Sequence, residues 1–246
     1  MASIAAQVVL HPVTSQSLRV LNTTIGRDKL YRAVQYFSRF FAWFLISRGY
    51  KIQAARWDAL KSHLALGRKL LRLGKFMENA QAALRAISAP GETGERLTLI
   101  GRQVGYFGYL LLDGFVWANS IKFFNLLPST AQKVNKRSAQ FWFTGIVFSI
   151  AHGLLKAGRL ANEVKKLQGQ TWAEKSVEAE RDLKLQDLNF AREAVRYQFI
   201  IDILDVWIPA TTIGLVNLND GVLGIFGFIT SLMALRQQWL NAGGKK

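Results

Sequence analysis

The first strong hydrophobic pattern lies at residues 27–48 (RDKLYRAVQYFSRFFAWFLISR). At about 100° per residue, Leu30, Ala33, Val34, Phe37, Phe41 and Phe44 share one side of a helix, and Asp28, Lys29, Arg32, Gln35, Tyr36 and Arg39 the other. Past Phe40 the pattern is apolar all round, so this helix is expected to end in oily surroundings. The second pattern, RWDALKSHLALGRKLLRLGKFME (56–78), is sharper. Leu60, Leu64, Gly67, Leu71 and Gly74, extended by Leu66, Leu70, Leu73 and Met77, make a broad apolar face, while Lys61, Arg68, Lys69, Arg72 and Lys75 crowd one edge. The acids, Asp58 and Glu78, stand near the ends. Surface helices of soluble bundles normally mix signs along the polar face, whereas this edge repels itself unless an anion is near. Two readings fit the pattern. One is a bundle helix with its polar face in water; the other is an in-plane membrane helix with leucines in the acyl layer and cations on anionic headgroups.

Four breaks punctuate the chain. They are SAPGETGE (88–95), Leu127-Pro128-Ser129 with Ser129 and Gln132 at capping spacing, Gly169 followed by Thr171 and Glu174 at capping-box spacing, and a turn from Asn217 to Gly221. No alternating β-branched run lies between them, which predicts an all-α chain. The expected layout is a basic amphipathic-helix region (1–87), a linker (88–96), hydrophobic helices (97–155), a polar helical loop (156–196) and a C-terminal hydrophobic helical hairpin (197–240). Together these describe a membrane-associated helical bundle.

Three of these regions bear on embedding. The 17 residues 139–155 carry no formal charge and rise about 26 Å against a hydrocarbon core of about 30 Å, a short span. Residues 103–121 centre on Asp113, whose insertion cost of about 2.5–3.5 kcal/mol cancels the gain from the surrounding apolar side chains. Such a helix needs a partner that shields Asp113, lies partly in the interface, or is a buried helix with Asp113 hydrogen-bonded. In residues 199–239, Pro209 predicts a kink, and Asp202 and Asp205 share a face expected to meet other helices. Gly221, Gly224, Gly227 and Ser231 form a ridge of small side chains, as do Gly101 and Gly105, which marks helix association within the chain or between copies. Two to four crossings are expected. The basic N-terminal third and the tail carrying Arg236, Lys245 and Lys246 fall on one side if positive charge stays cytosolic.

Composition adds a tension. The chain has 246 residues, with 32 Lys+Arg against 16 Asp+Glu and half its residues apolar, a pI near 10.4 and a mean hydropathy of +0.12. That is too apolar for a disordered polycation. Residues 1–85 hold 14 basic and 3 acidic residues, whereas 156–196 hold 9 and 7. The positive excess therefore belongs to the amphipathic helices, and the long apolar runs follow them.

Candidate chemistry is sparse. With no cysteine, disulfides, thiolate metal sites and cysteine nucleophiles are excluded. His11, His63 and His152 have no ligand-like spacing. No phosphate loop, nucleophile elbow or HExxH occurs. Asp202 and Asp205 have no nucleophile or metal ligand beside them, so no catalytic residue, cofactor or metal is expected. Strong basicity suggests nucleic acid, but no nucleic-acid-binding pattern is present. The aromatics Phe40, Phe41, Trp43, Phe141, Trp142 and Phe143 sit in apolar runs instead of interleaving with cations. Nucleic acid is not the expected partner, and a soluble basic bundle that binds it remains the third reading. The first 21 residues lack the pattern of a secretory or transit signal, so an organelle address is expected to be internal.

Three stretches, GRDKLYRAVQYFSRF (26–40), SHLALGRKLLRLGKFMEN (62–79) and NDGVLGIFGFITSLMALRQQW (219–239), in that order and at these spacings, resemble the fungal peroxin-11 family of peroxisomal membrane proteins. The likeness runs from about Gly26 to Trp239 and is weakest over 157–196. LGRKLLRLGK is its most specific part. The resemblance implies a peroxisomal membrane location and a role in elongating and tubulating that membrane, promoting peroxisome proliferation and fission. It implies that the amphipathic helix, matched by 57–77, enters anionic phospholipid membrane. Lys61, Arg68, Lys69, Arg72 and Lys75 would bind headgroups, and Trp57, Leu60, Leu64, Leu70, Leu71 and Leu73 would insert. It further implies a homo-oligomer and contact with the dynamin-related fission GTPase and its tail-anchored adaptor. The alternative for such a protein is a solute pore, with Asp113, Asp202 and Asp205 lining a polar path.

Overall fold

The computed structural model describes residues 4–169 and 175–243, and all their regular elements are helices. They are α1 (Ile4–Val9), α2 (Pro12–Leu21), α3 (Thr24–Ser47), α4 (Lys51–Leu71), α5 (Phe76–Ile87), α6 (Thr93–Ser120), α7 (Pro128–Gln168), α8 (Lys175–Asp205), α9 (Trp207–Ile213) and α10 (Asp220–Ala242). The all-α expectation holds.

The boundaries follow local chemistry. Thr23 caps α3 by accepting from the Gly26 amide at 2.9 Å, and Asn219 caps α10 by accepting from the Val222 amide at 3.0 Å. Pro128 takes the first position of α7, with Ala131 N bonding Leu127 O at 2.9 Å. The helix thus starts one residue before the expected Ser129 cap, because a missing N–H costs nothing there. The capping box at Thr171 and Glu174, and the tail lysines Lys245 and Lys246, lie outside the described residues. The expected linker shortens, because α6 already begins at Thr93. Pro209 falls within α9, and α8 breaks from it at Val206, since a proline at 209 has no N–H for the Asp205 carbonyl.

One sequence expectation is corrected outright. The segment read as a single helix over 57–77 is two helices. The last turn of α4 tightens into bonds from Arg72 N to Lys69 O and from Leu73 N to Leu70 O, and Gly74 adopts φ +80°. That left-handed conformation favours glycine and ends the helix. Leu73 and Lys75 therefore lie beyond the end of α4.

Two compact units are built from separated stretches of chain. In the first, formed by the described residues up to Leu73, Asp113–Ala131 and the residues from Gly214 on, α3 packs against both α4 and α10, and α2 lies against α3 and α10. The small-residue ridge of α10 makes this close approach possible. A Cβ on Gly221 would fall 2.6 Å from the Trp43 ring, and one on Gly224 would fall 2.6 Å from the Phe40 amide nitrogen. Gly227 meets Tyr36 in the same way, and Ser231 is fully buried. In the second unit, Gly74–Leu112 and the described part of Gln132–Ile213, α6 crosses α7 through glycines. Gly101 lies under Phe148, and a Cβ on Gly105 would meet Gly145 Cα at 2.5 Å. Tyr109 stacks on Trp142 nearby, with centroids 5.2 Å apart.

Several polar groups lie among the buried apolar side chains. Asp28, Arg32, Ser38, Arg68, Asp113 and Thr230 are buried in the first unit, and Ser138, Ser149 and Asp202 in the second. Large apolar side chains stand exposed instead, among them Phe37, Trp43, Phe44, Ile46, Ile225 and Ile229, and Phe141, Val147, Leu154, Ile200 and Ile203. Polar groups turned inward and apolar ones turned outward suit an apolar solvent. Among the described residues, α7 is the one helix long and apolar enough to cross a membrane.

Candidate functional site

The site is the basic edge of α4 and what it meets within the first unit. α4 follows a turn at Gly49, which takes φ +83°. Trp57 anchors it, standing edge-on to Phe37 and Phe41 of α3 with ring centroids 5.8 and 5.0 Å away. The register then turns Ala54 and Arg68 inward, and Leu60 and Leu70 outward.

The cations find anions inside the protein. Arg68, 6% exposed, donates from Nε to Asp28 Oδ1 at 2.9 Å and from Nη1 to Gln35 Oε1 at 2.7 Å. Lys69 donates to Asp113 Oδ1, and Arg72 donates from Nη2 to Asp113 Oδ2 at 2.7 Å. Asp113 is 4% exposed, so the partner that its helix required is supplied by α4. Arg32 donates to Thr230 at 3.1 Å. Lys61 pairs with Asp58 on its own helix, while Lys75, which belongs to the second unit, lies 4.0 Å from Glu78 there.

These pairings tilt the titrations. Burial acts to raise the Asp28 carboxyl, but Arg68, Lys29 and Arg72 outweigh it and hold the group below the usual aspartate value. Burial lowers the Arg68 guanidinium, with repulsion from Arg72 adding and Asp28 opposing. Lys69 is also lowered by burial, against the pull of Asp113. Arg68 and Lys29 share Asp28, and Lys69 and Arg72 share Asp113, so each of the two buried carboxylates is divided between two cations.

The residues expected at this site therefore fall into groups. Leu60, Leu70 and Leu73 are exposed, whereas Trp57, Leu64 and Leu71 are partly covered. Lys61 and Lys75 pair with side chains that are themselves exposed, Lys69 and Arg72 share Asp113, and Arg68 is enclosed. The helix-association residues Gly221, Gly224, Gly227 and Ser231 sit at the α3–α10 contact, and Gly101 and Gly105 at the α6–α7 contact. Asp113 and Asp202, two of the carboxylates expected along a polar path, are both enclosed. Asp202 is 2% exposed and accepts from Ser149 at 2.6 Å and Gln198 at 2.9 Å. Asp28 and Gln35 are functional partners that the sequence reading left on a polar helix face. The self-repelling cation edge was the signal that such anions exist. Among the described residues no cluster of three potential metal ligands occurs.

The model of the family described as peroxisomal biogenesis factor 11 (PEX11) matches residues 14–239. The chain belongs to the peroxisomal biogenesis factor 11 family. It is 29% identical over 250 residues to peroxisomal membrane protein PMP30B of Candida boidinii, covering 95% of this chain and 96% of that one. It is 23% identical over 246 residues to peroxisomal biogenesis factor 11 of Schizosaccharomyces pombe, covering 96% and 99%. It is 26% identical over 232 residues to peroxisomal membrane protein 11A of Mus musculus, covering 89% and 93%. No solved structure matches the chain. As a peroxisomal biogenesis factor 11 protein it is a peroxisomal membrane protein linked to peroxisome biogenesis, and the outward apolar surface of its helices suits that location.

Proposed function

We propose that this protein elongates and tubulates the peroxisomal membrane ahead of fission, with α4 as the element that enters one leaflet. The observation that carries the reading is the two-sidedness of α4: leucines exposed on its outer face, and on its inner edge a row of cations that share two buried carboxylates. With Leu60 and Leu70 in the acyl layer and Leu73 just beyond, the helix expands one leaflet relative to the other. Anionic headgroups attract the cations of this edge that reach the surface, each contributing about 1 kcal/mol.

The pairings rank the headgroup ligands. Lys61 and Lys75 exchange most readily, because their partners Asp58 and Glu78 are half or more exposed and such pairs are worth about 0–1 kcal/mol. Lys69 and Arg72 follow, in competition with Asp113. Arg68 positions α4 on α3 and is the last to leave. Self-association and recruitment of the dynamin-related fission GTPase through its tail-anchored adaptor belong to the same proposal. Because the glycine ridges contact helices of this chain, further copies attach through other faces.

Reconstitution of the full chain tests the reading. It should tubulate liposomes rich in anionic lipid and leave neutral ones round. Lys61→Gln with Lys75→Gln should weaken binding most at low salt. Equal tubulation of neutral liposomes would sink the electrostatic part.

A further inference from the structure

A second basic feature belongs to the unit containing α7 and α8. A cleft of about 620 Å³ opens between these helices, lined by Gly153, Leu154 and Ala157 on α7 and by Arg192, Glu193, Arg196 and Phe199 among others on α8. The two helices run antiparallel here. Ser149 bonds Asp202, Gly153 faces Phe199, and Ala157 shares the cleft with Arg192.

Both helices change character at this level. The 17 uncharged residues of α7 end at Leu155, and Lys156 and Arg159 follow; α8 is mostly charged up to Arg196 and continues as Phe199, Ile200 and Ile201, with Asp202 buried against Ser149 and Gln198 and Asp205 at its end. On the apolar side of the cleft Leu154, Leu155, Ile200 and Ile203 are exposed. On the other side Asp182, Lys184 and Asp187 are exposed, interspersed with exposed Leu183 and Phe190. A shared switch from apolar to charged on two packed helices marks the depth of the membrane–water boundary. The cleft sits at that boundary, with its charged wall toward water and its apolar wall toward the hydrocarbon.

The charges in the cleft are available. Arg192 reaches Asn189 only at 3.5 Å, and neither the Arg196 guanidinium nor the Glu193 carboxylate bonds another described side chain. Two guanidiniums and one carboxylate on adjacent turns match a phosphodiester carrying a primary ammonium. Guanidinium forks suit phosphate oxygens, and a carboxylate accepts hydrogen bonds that a trimethylated amine has no N–H to give. We propose that this cleft binds the headgroup of an aminophospholipid, with Arg192 and Arg196 on the phosphodiester, Glu193 on the ammonium, and an acyl chain over Leu154 and Phe199. The glycine at 153 leaves space, since a Cβ there would meet only Phe199 at 3.8 Å. This site rests on the membrane location of the protein and is independent of α4.

The test uses the full chain in detergent micelles, mixed with phosphatidylethanolamine, phosphatidylcholine, phosphatidylglycerol or inorganic phosphate, with bound molecules counted by native mass spectrometry. Phosphatidylethanolamine should be retained about tenfold better than phosphatidylcholine, the difference of one charge-assisted hydrogen bond. Glu193→Gln should erase that preference. Arg192→Gln with Arg196→Gln should lower retention of both lipids about tenfold or more, and Gly153→Leu should do so with every charge in place. Helicity by circular dichroism checks folding; if the double arginine variant unfolds, Gly153→Leu and Glu193→Gln decide. The proposal is overturned if a folded double arginine variant holds lipid like wild type, if Glu193→Gln keeps the preference, if phosphatidylglycerol equals phosphatidylethanolamine, or if inorganic phosphate is retained as well as lipid.

Discussion

Asp113→Ala removes the acceptor shared by Lys69 and Arg72. Removing one member of a fully buried ion pair costs about 3–5 kcal/mol, because the remaining charge stays desolvated and unpaired. Here the Lys69 and Arg72 side chains keep 21% and 17% of their exposure, so water recovers part of that loss. Alanine also favours the α6 helix over aspartate by about 0.5 kcal/mol. The net loss is expected near 2 kcal/mol. Unfolding of the full chain in micelles, followed by far-UV circular dichroism, measures it. The triple variant Asp113→Leu, Lys69→Met, Arg72→Met removes all three charges, and replacing a buried ionic group with packed apolar side chains is neutral or stabilising. It should recover most of the loss. The same Asp113→Ala change frees two cations of α4, so binding to anionic liposomes should rise. A cost for Asp113→Ala below about 0.5 kcal/mol, or a triple variant no more stable than the single one, would refute the pairing argument.

Further outcomes follow from the same geometry. Gly224→Leu should cost more than about 3 kcal/mol, because the first added carbon would lie 2.6 Å from the Phe40 backbone nitrogen. Gly67→Ala should stabilise by about 1 kcal/mol, since nothing lies within 4 Å of its Cβ position and it sits inside α4; micelle unfolding reads both. Asp28 is held below the usual aspartate value, so as pH falls the unfolded chain takes up this proton first. The stability it contributes is complete above about pH 4, the ordinary aspartate value, and disappears as pH drops through the lower folded value. Unfolding measured from pH 5 downward should decline more steeply for wild type than for Asp28→Asn, and parallel profiles would contradict the Arg68–Asp28 bond.

Much of the architecture was legible because it rests on local pattern. The face of α3, the ridge of α10 and the uncharged run of α7 all follow from spacing. What was hidden depends on distant partners. Asp28 and Asp113 lie 40 or more positions from the cations they neutralise, and a helical wheel of α4 carries no trace of them. The break in the basic segment was hidden for another reason. Gly67 and Gly74 look alike in the pattern, yet only Gly74 takes a positive φ. The α7–α8 cleft was obscured because α8 mixes signs and reads as an ordinary solvated face until α7 is set against it. The leucines show the same limit. Periodicity places Leu64 and Leu71 with Leu60 and Leu70, and only the packing of α4 on α3 separates the covered pair from the exposed one.

The most direct measurement is peroxisome shape in cells that express either the wild-type chain or a Leu60→Glu, Leu70→Glu, Leu73→Glu variant. Resistance to alkaline-carbonate extraction confirms that both are membrane-embedded. These three side chains are exposed, so the variant should keep its fold and remain in the membrane. Elongated peroxisomes with wild type and round ones with the embedded variant are the predicted result. Equal elongation by both would contradict insertion of α4 as the source of membrane curvature.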